Sequence, residues 1–577
     1  MTSEPIGRET NGHRPYRTFV FGRLVQQSAL VAGGSDPNPG DADIACARDG
    51  AGRLVIPGTG LAGALIETAG RIFPDLLNSP LENRDTHFKQ ITGKTKEPPK
   101  AGPTEKGLLQ SVVHVMPAHR IVGGRAEAPP QQPDSEKHSP TELRQGVGIR
   151  QATGATAAER KALFDLEAVP AGTKWEFFLE IDTLRGGPEV ERLVLLAVAE
   201  WAQGRCWLGG SAARGTGWMN LENVELLRLP LTEKAVDAWP NNMFASNDQR
   251  WDYLIKLPGT ERAQGKEGLR SWAEQTESPV LPDNRFWYLR IDAQLEAGPA
   301  ASGYGLDALS VGGHAAALIQ PLSDNLLTPN GVNAESFRGQ YNPHAPVVVT
   351  RRANQPRDQA EPLVPGSGIR GPLRHATSRW LRGQPGDNGK GPEIPDPNDP
   401  SWDTDRDSDD SVSQLFGLTK RSARLLVRDG LLVRSASSDD PASPLFQLAL
   451  FQHHAEDEFA GGAYGAGKFD RTAVIVGTFE VRLVIEAQAR EELMGHLKTL
   501  TPALQLAELG HLPIGGAKWR GFGWLPWRFT RVELWRAGSP DPEPRRALRN
   551  PEKQDNWIVS AIAELQRSLQ NPNEGAP

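Results

Sequence analysis

A chain of 577 residues is longer than one hydrophobic core usually supports, so two or more domains are expected. Its 60 glycines and 47 prolines follow no strict period, which excludes a collagen-like rod, and its two cysteines exclude a disulfide scaffold and a cysteine-rich zinc site. The net charge of −7 is carried by residues 383–411, nine acidic side chains against Lys390 and Arg406, so the remainder sums to about zero and charge excludes no nucleic-acid partner.

The first seventeen residues have no apolar core, so no signal peptide is expected, and no run has the length of a membrane helix. A cytoplasmic protein without a membrane partner is expected, and the sparse cysteines suit that compartment. After a tail at 1–15, residues 16–31 (YRTFVFGRLVQQSALV) alternate as a strand does and run into a turn-rich loop. Residues 53–56 form a short strand, VIPGTGLAGAL opens a helix reaching about Leu77, and 79–104 is a polar insertion. Residues 112–122 read as a strand, and 162–181 as a strand pair around a Pro-Ala-Gly turn. A helix follows at 189–203, then a glycine loop and a closing strand at 221–229. Residues 231–284 form a linker with some structure. The second half (285–536) repeats the order: a strand at 285–295, a helix to Arg382, the acidic insert, strands at 421–433 and 472–485, a helix at 491–508 and a strand at 528–535. A Pro-rich tail, 537–577, ends in a short helix near 557–569. Strand, helix, strands, helix, strand, twice, predicts an α+β protein of two ferredoxin-like split βαβ domains.

The duplication is carried by two motifs. VIPGTGLAGAL (55–65) returns as VPGSGIRGPL (364–373), and GGSAARGTGW (209–218) returns as GGAKWRGFGW (515–524); Gly58 to Gly209 is 151 positions and Gly366 to Gly515 is 149. Gly58, Gly60 and Gly63, and again Gly366, Gly368 and Gly371, satisfy GxGxxG, which raises a nucleotide-cofactor enzyme as a remote alternative. The acidic residue a dinucleotide fold needs about 20 positions later falls in the loop-like DLLNSPLENRD, and no NTPase phosphate loop exists. What remains is a helix start able to bind a phosphate: Gly58, Thr59 and Gly60 in one half, Gly366, Ser367 and Gly368 in the other. The second element adds Gly209, Gly210 and Arg214, then Gly515, Gly516, Lys518 and Arg520, with Trp218, Trp519 and Trp524 nearby. Backbone cradles, bases and aromatic rings together suit a single-stranded nucleic acid.

The pairing of PG[ST]xhxG with a downstream GGxxxRGxGxh loop resembles the RAMP superfamily, and within it the backbone subunits of type III CRISPR effector complexes. GVGIRQATGATAAERKALFDLEAVPAGTKWEFFLEI (146–181), with its looser counterpart at 453–485, adds to the likeness, which covers about 16–229 and 285–536. The resemblance implies RRM-like domains with large loop and thumb insertions. It also implies a crRNA guide, a complementary target RNA and other CRISPR effector subunits as partners. The helix starts then hold guide phosphates that Arg214, Arg370, Arg374, Lys518 and Arg520 neutralise. Repeat 1 departs from the family by having Ala62 where repeat 2 has Arg370.

In catalytic family members an Asp before the PG motif cleaves target RNA with a divalent metal. Asp43 stands there in DADIACARDGAGRLVIPG, with Asp41 its nearest competitor and Mg2+ or Mn2+ the implied cofactor. In repeat 2 the position falls on His344, and Asp324 is the remaining candidate. A non-catalytic crRNA scaffold is the alternative. DTDRDSDD (403–410) mimics a calcium loop but has Ser408 at its sixth position and Gln414 at its twelfth, so an acidic insert is the better reading.

Overall fold

The computed structural model describes residues 16–33, 43–75, 111–127, 140–147, 163–230, 246–274, 281–298, 308–312, 326–339, 347–350, 352–353, 360–384, 411–417, 421–434, 445–456, 463–539, 546–548 and 557–570. Asp41, Asp324, His344, the insertion at 79–104 and the calcium-like DTDRDSDD lie outside the described residues.

The first half runs β1 (Tyr16–Gln26), β2 (Val55–Ile56), α1 (Gly58–Ile72), β3 (Val113–Val115), β4 (Ala118–His119), β5 (Ile121–Val122), β6 (Arg125–Ala126), β7 (Glu142–Val147), β8 (Leu163–Ala168), β9 (Lys174–Asp182), α2 (Thr183–Ala202), β10 (Cys206–Trp207) and β11 (Trp218–Pro230). Alternation along β1 sends Val20 and Leu24 into a core with α1 and α2, and Phe19 and Phe21 to the other face. The antiparallel sheet runs β11-β1-β9-β3, so counting β1, β3, β9 and β11 as first to fourth gives the order fourth, first, third, second, compatible with a split βαβ unit. α2 carries a break at Gly187 (φ 74°) ahead of Pro188, so its straight part begins where the sequence places the helix.

The 162–181 pair differs from expectation. β8 pairs with β7, and β9 with β1 and β3, so the Pro-Ala-Gly bend carries the chain from one sheet to another instead of closing a hairpin. The expected 112–122 strand is likewise split into β3, β4 and β5, with Pro117, which has no N–H to donate, between the first two.

Within residues 231–284, α3 (Asn247–Leu254) covers the outer face of the first sheet, where Trp251 stacks on Phe21 (5.3 Å between centroids). β12 (Glu261–Gln264) pairs with β11, and α4 (Gly265–Glu274) buries Leu269 and Trp272 in the first core, against α2.

The second half runs β13 (Trp287–Ala297), α5 (Ala334–Gly339), β14 (Val349–Thr350), β15 (Glu361–Val364), α6 (Gly366–Arg382), α7 (Ser411–Phe416), β16 (Leu425–Val427), β17 (Gly430–Leu432), β18 (Gln447–Glu456), β19 (Ala463–Ala487), α8 (Arg490–Glu508) and β20 (Trp527–Arg536). β20-β13-β19-β16 repeats the order of the first sheet. β21 (Arg546–Leu548) pairs with β20, and α9 (Trp557–Gln570) packs on α8, as β12 and α4 do in the first half. Each unit therefore carries a strand-and-helix extension.

The halves share a core. Tyr288, Leu426, Val484 and Ala537 of the second pack into the first-half cluster around α1 and α2. Arg71 of α1 pairs with buried Glu486 (3.0 Å), and the Arg205 guanidinium lies 4.7 Å from the Trp535 ring. A buried pair of this kind stabilises little by itself, but removing one partner costs about 3–5 kcal/mol. The halves are locked in one arrangement.

Candidate RNA-binding junction and the Asp43 loop

Both PG motifs open their helices, with Pro57 and Pro365 at the N-cap positions. The first glycine of each is a contact residue. A Cβ on Gly58 would stand 2.4 Å from the Val115 carbonyl, and on Gly366 2.6 Å from both the Val427 carbonyl and the Gly215 Cα. The first-half glycine loop thus lies against the second-half helix start.

That seat is partly taken. The Gly366 N–H donates to Asp429 Oδ1 (2.8 Å), and Arg144 of β7 donates to Asp429 Oδ2 (2.8 Å). Ile56 pairs with Ala118 just before the first motif as Val364 pairs with Gly430 before the second, so Pro117 occupies the place of Asp429. Among the described residues no such carboxylate meets the α1 start, and Thr59 and Gly60 are exposed there. Ser367 is exposed on α6, while the Gly368 N–H bonds to Pro365 O (2.8 Å).

The glycine loops are built alike. Gly209 and Gly515 sit at φ 73° and 79°, and the N–H groups of Gly210 and Gly516 are used by Val31 O (3.2 Å) and Ser310 O (2.7 Å). Trp218 and Trp524 clamp the loops by donating to Ala212 O (3.1 Å) and Lys518 O (2.8 Å). These two rings hold the loop; Trp519, 83% exposed, is the one of the three presented to solvent.

The basic side chains converge where the halves meet. Arg214 leaves the short 3-10 turn Ala212–Arg214, which packs on α6 and β16. The Arg370 guanidinium, pushed down to about 10 by burial and by Arg214 and Arg374 beside it, donates to Phe416 O. Three guanidiniums crowded from two halves repel one another, and a phosphate between them relieves that repulsion. A second group surrounds the other loop. Burial and Arg379 push Lys518 down, burial and Arg520 push Arg471 down, and Arg520 lies 4.7 Å from the Phe469 ring. Arg379 and Arg471 escaped the sequence reading because no motif marks them; strand pairing and helix phase bring them in.

Asp43 is exposed, and its Oδ2 accepts the Asp165 N–H of β8 (2.9 Å). Ile44 bridges Leu166 in parallel, and the Cys46 N–H donates to Glu167 Oε2 (2.7 Å), so the loop after Asp43 runs beside β8. Asp49 is spent on its own turn, accepting from Ala51 N (2.9 Å) and Arg53 N (3.0 Å). Among the described residues no group of three or more His, Cys, Asp and Glu side chains could hold a metal. Asp43 is an exposed hard oxygen donor of the kind Mg2+ or Mn2+ prefers, while Asp165 meets it through its backbone N–H and keeps its own Oδ1 buried without a hydrogen-bond partner.

No curated protein matches the chain. The family model of the RAMP superfamily matches it twice, over residues 28–220 and 337–525, each match spanning one helix start and one glycine loop. The chain belongs to the RAMP superfamily, whose members are CRISPR-associated RNA-binding proteins.

Proposed function

We propose that the chain is a fused two-repeat, crRNA-binding backbone subunit of a type III CRISPR RNA-targeting complex, with target-RNA cleavage at Asp43. The convergence of Arg214, Arg370 and Arg374 across the repeat junction carries the guide-binding part. Ser367, Arg370 and Arg374 share one face of α6 by their spacing, and the turn that carries Arg214 packs on that helix, so a single strand's phosphates there would replace mutual repulsion with charge-assisted hydrogen bonds. Arg379, Lys518, Arg471 and Arg520 form a second basic group around the repeat 2 loop, and Thr59 and Gly60 leave the repeat 1 helix start exposed for a further phosphate. Other CRISPR effector subunits are the expected neighbours.

Asp43 carries the cleavage part. Its second carboxylate oxygen is left to accept the proton of a target 2′-hydroxyl, while the Asp165 N–H fixes the first. A divalent cation held at Asp43 would supply positive charge beside the phosphate under attack. Asp43→Ala, assembled with guide and partner subunits, is expected to bind target RNA as before and to lose one cut by at least about 100-fold. Cleavage unchanged at every position contradicts the nuclease assignment and leaves a guide-binding scaffold.

A further inference from the structure

The strand pair β7–β8 of repeat 1 is bolted to repeat 2. Buried Arg144 donates through Nη1 to Asp429 Oδ2 (2.8 Å) and through Nε to Glu142 Oε1 (2.8 Å), and the Thr350 hydroxyl donates to the Glu142 carboxylate (3.0 Å). Asp429 in turn accepts the first N–H of α6 at Gly366 (2.8 Å). Glu142 and Arg144 belong to one repeat; Thr350, Gly366 and Asp429 belong to the other.

The same strand pair holds the Asp43 loop. Arg144 is registered opposite Leu166, and Leu166 is the residue Ile44 bridges on the far side of β8. Arg144 and Ile44 are thus separated by two strand spacings, about 10 Å. Asp165 N–H to Asp43 Oδ2, Glu167 N–H to Ile44 O (2.9 Å) and Cys46 N–H to Glu167 Oε2 complete the connection. An unbroken hydrogen-bonded path therefore runs from the α6 N-terminus through Asp429 and Arg144 to the Asp43 carboxylate.

From this path we infer that Arg144 and Asp429 are positioning residues: the repeat 2 helix start sets the orientation of the repeat 1 cleavage loop. The inference rests on the cleavage role of Asp43 for its functional meaning, but not for its structural content. Without repeat 2 the β7–β8 pair has no anchor at Arg144, and the Asp43 loop follows it. Because Asp429 also seats Gly366 beside Arg214 and Arg370, a guide settling there bears on the same residue that holds the loop.

The test uses the full chain loaded with its guide, as wild type, Arg144→Gln, Asp429→Asn and Arg144→Lys. Amide exchange over residues 44–48 is expected to speed up at least tenfold in the first two variants, while exchange in α2 and α8 stays as in wild type. Single-turnover target cleavage is expected to fall at least tenfold with target affinity within twofold, and Arg144→Lys to recover part of both. Unchanged exchange over 44–48 overturns the inference whether or not the protein cuts RNA. A uniform rise in exchange through α2 and α8, with guide and target binding lost in parallel, also overturns it, since the pair is then merely structural. Failure of the nuclease reading shows separately, as a wild-type complex that does not cut or an Asp43→Ala complex that cuts equally well; the exchange measurement still decides the lock.

Discussion

Gly371 and Gly63 close the two GxGxxG patterns, yet a Cβ at either meets no atom within 4 Å. In a dinucleotide fold the third glycine is needed for helix–strand packing. Here Gly63→Ala is expected to stabilise the chain by about 0.5–1 kcal/mol in denaturant unfolding, as alanine does in a helix with room for its methyl, whereas Gly371→Ala gains nothing, because Pro372 follows it inside the helix and its ring crowds a Cβ on the preceding residue. Gly366→Ala is expected to cost about 2–4 kcal/mol, because its Cβ would meet the Gly215 Cα and the Val427 carbonyl at 2.6 Å. The motif itself was legible, and so was its duplication. The separate role of each glycine was not, because the atoms crowding Gly366 come from Gly215, some 150 positions away in the chain, and from a strand end.

At the scale of elements, α3 shows where sequence patterning runs out. Its sequence, NDQRWDYL, buries only Trp251 and Leu254, too few apolar positions to mark a helix face. Its place is set by Phe21 stacking on Trp251, by Arg23 pairing with Asp248 (2.7 Å) and by Arg250 pairing with Glu180 (3.0 Å). Beneath it, Glu176 of β9 is fully buried, and burial together with the neighbouring Asp248 carboxyl pushes its pKa up to about 7, against the pull of Arg23. The sign follows from linkage. A carboxyl with a raised folded-state pKa binds more protons folded than unfolded between pH 4.5 and about 7. Its contribution to stability is therefore greatest below that window and falls as pH rises through it, by up to roughly 3 kcal/mol. Glu176→Gln is expected to unfold at a higher temperature than wild type at pH 8, with the difference shrinking at pH 5. Parallel melting curves across that range would exclude the effect.

At the scale of the whole molecule, the internal junction shows how one unit meets the next: the glycine loop of repeat 1 lies on the helix start of repeat 2. Among the described residues no further unit covers the corresponding loop of repeat 2, and Trp519 is 83% exposed at the position Ala213 fills, half-buried, in the junction. On the proposed reading a neighbouring subunit covers that ring. Trp519→Ala is expected to change the stability of the free chain by no more than about 0.5 kcal/mol. It is also expected to reduce co-purification of the adjacent subunit several-fold, while acrylamide quenching of tryptophan in the wild type falls on assembly. The alternation of strands and helices in each half was legible, while the fourth, first, third, second order came from the strand pairing itself. The extensions β12–α4 and β21–α9 were not legible: they share no motif, and only their pairing on β11 and β20 and their packing on α2 and α8 make them counterparts.

The salt dependence of guide binding tests the central claim most directly. A strand held by Arg214, Arg370 and Arg374 releases about 0.7 counterion per neutralised phosphate. The triple Arg→Gln chain is therefore expected to bind single-stranded guide RNA more weakly at every salt concentration, with its log–log slope shallower by about 2. Affinity and slope equal to wild type would contradict the account, because the guide would then run elsewhere than across the repeat junction.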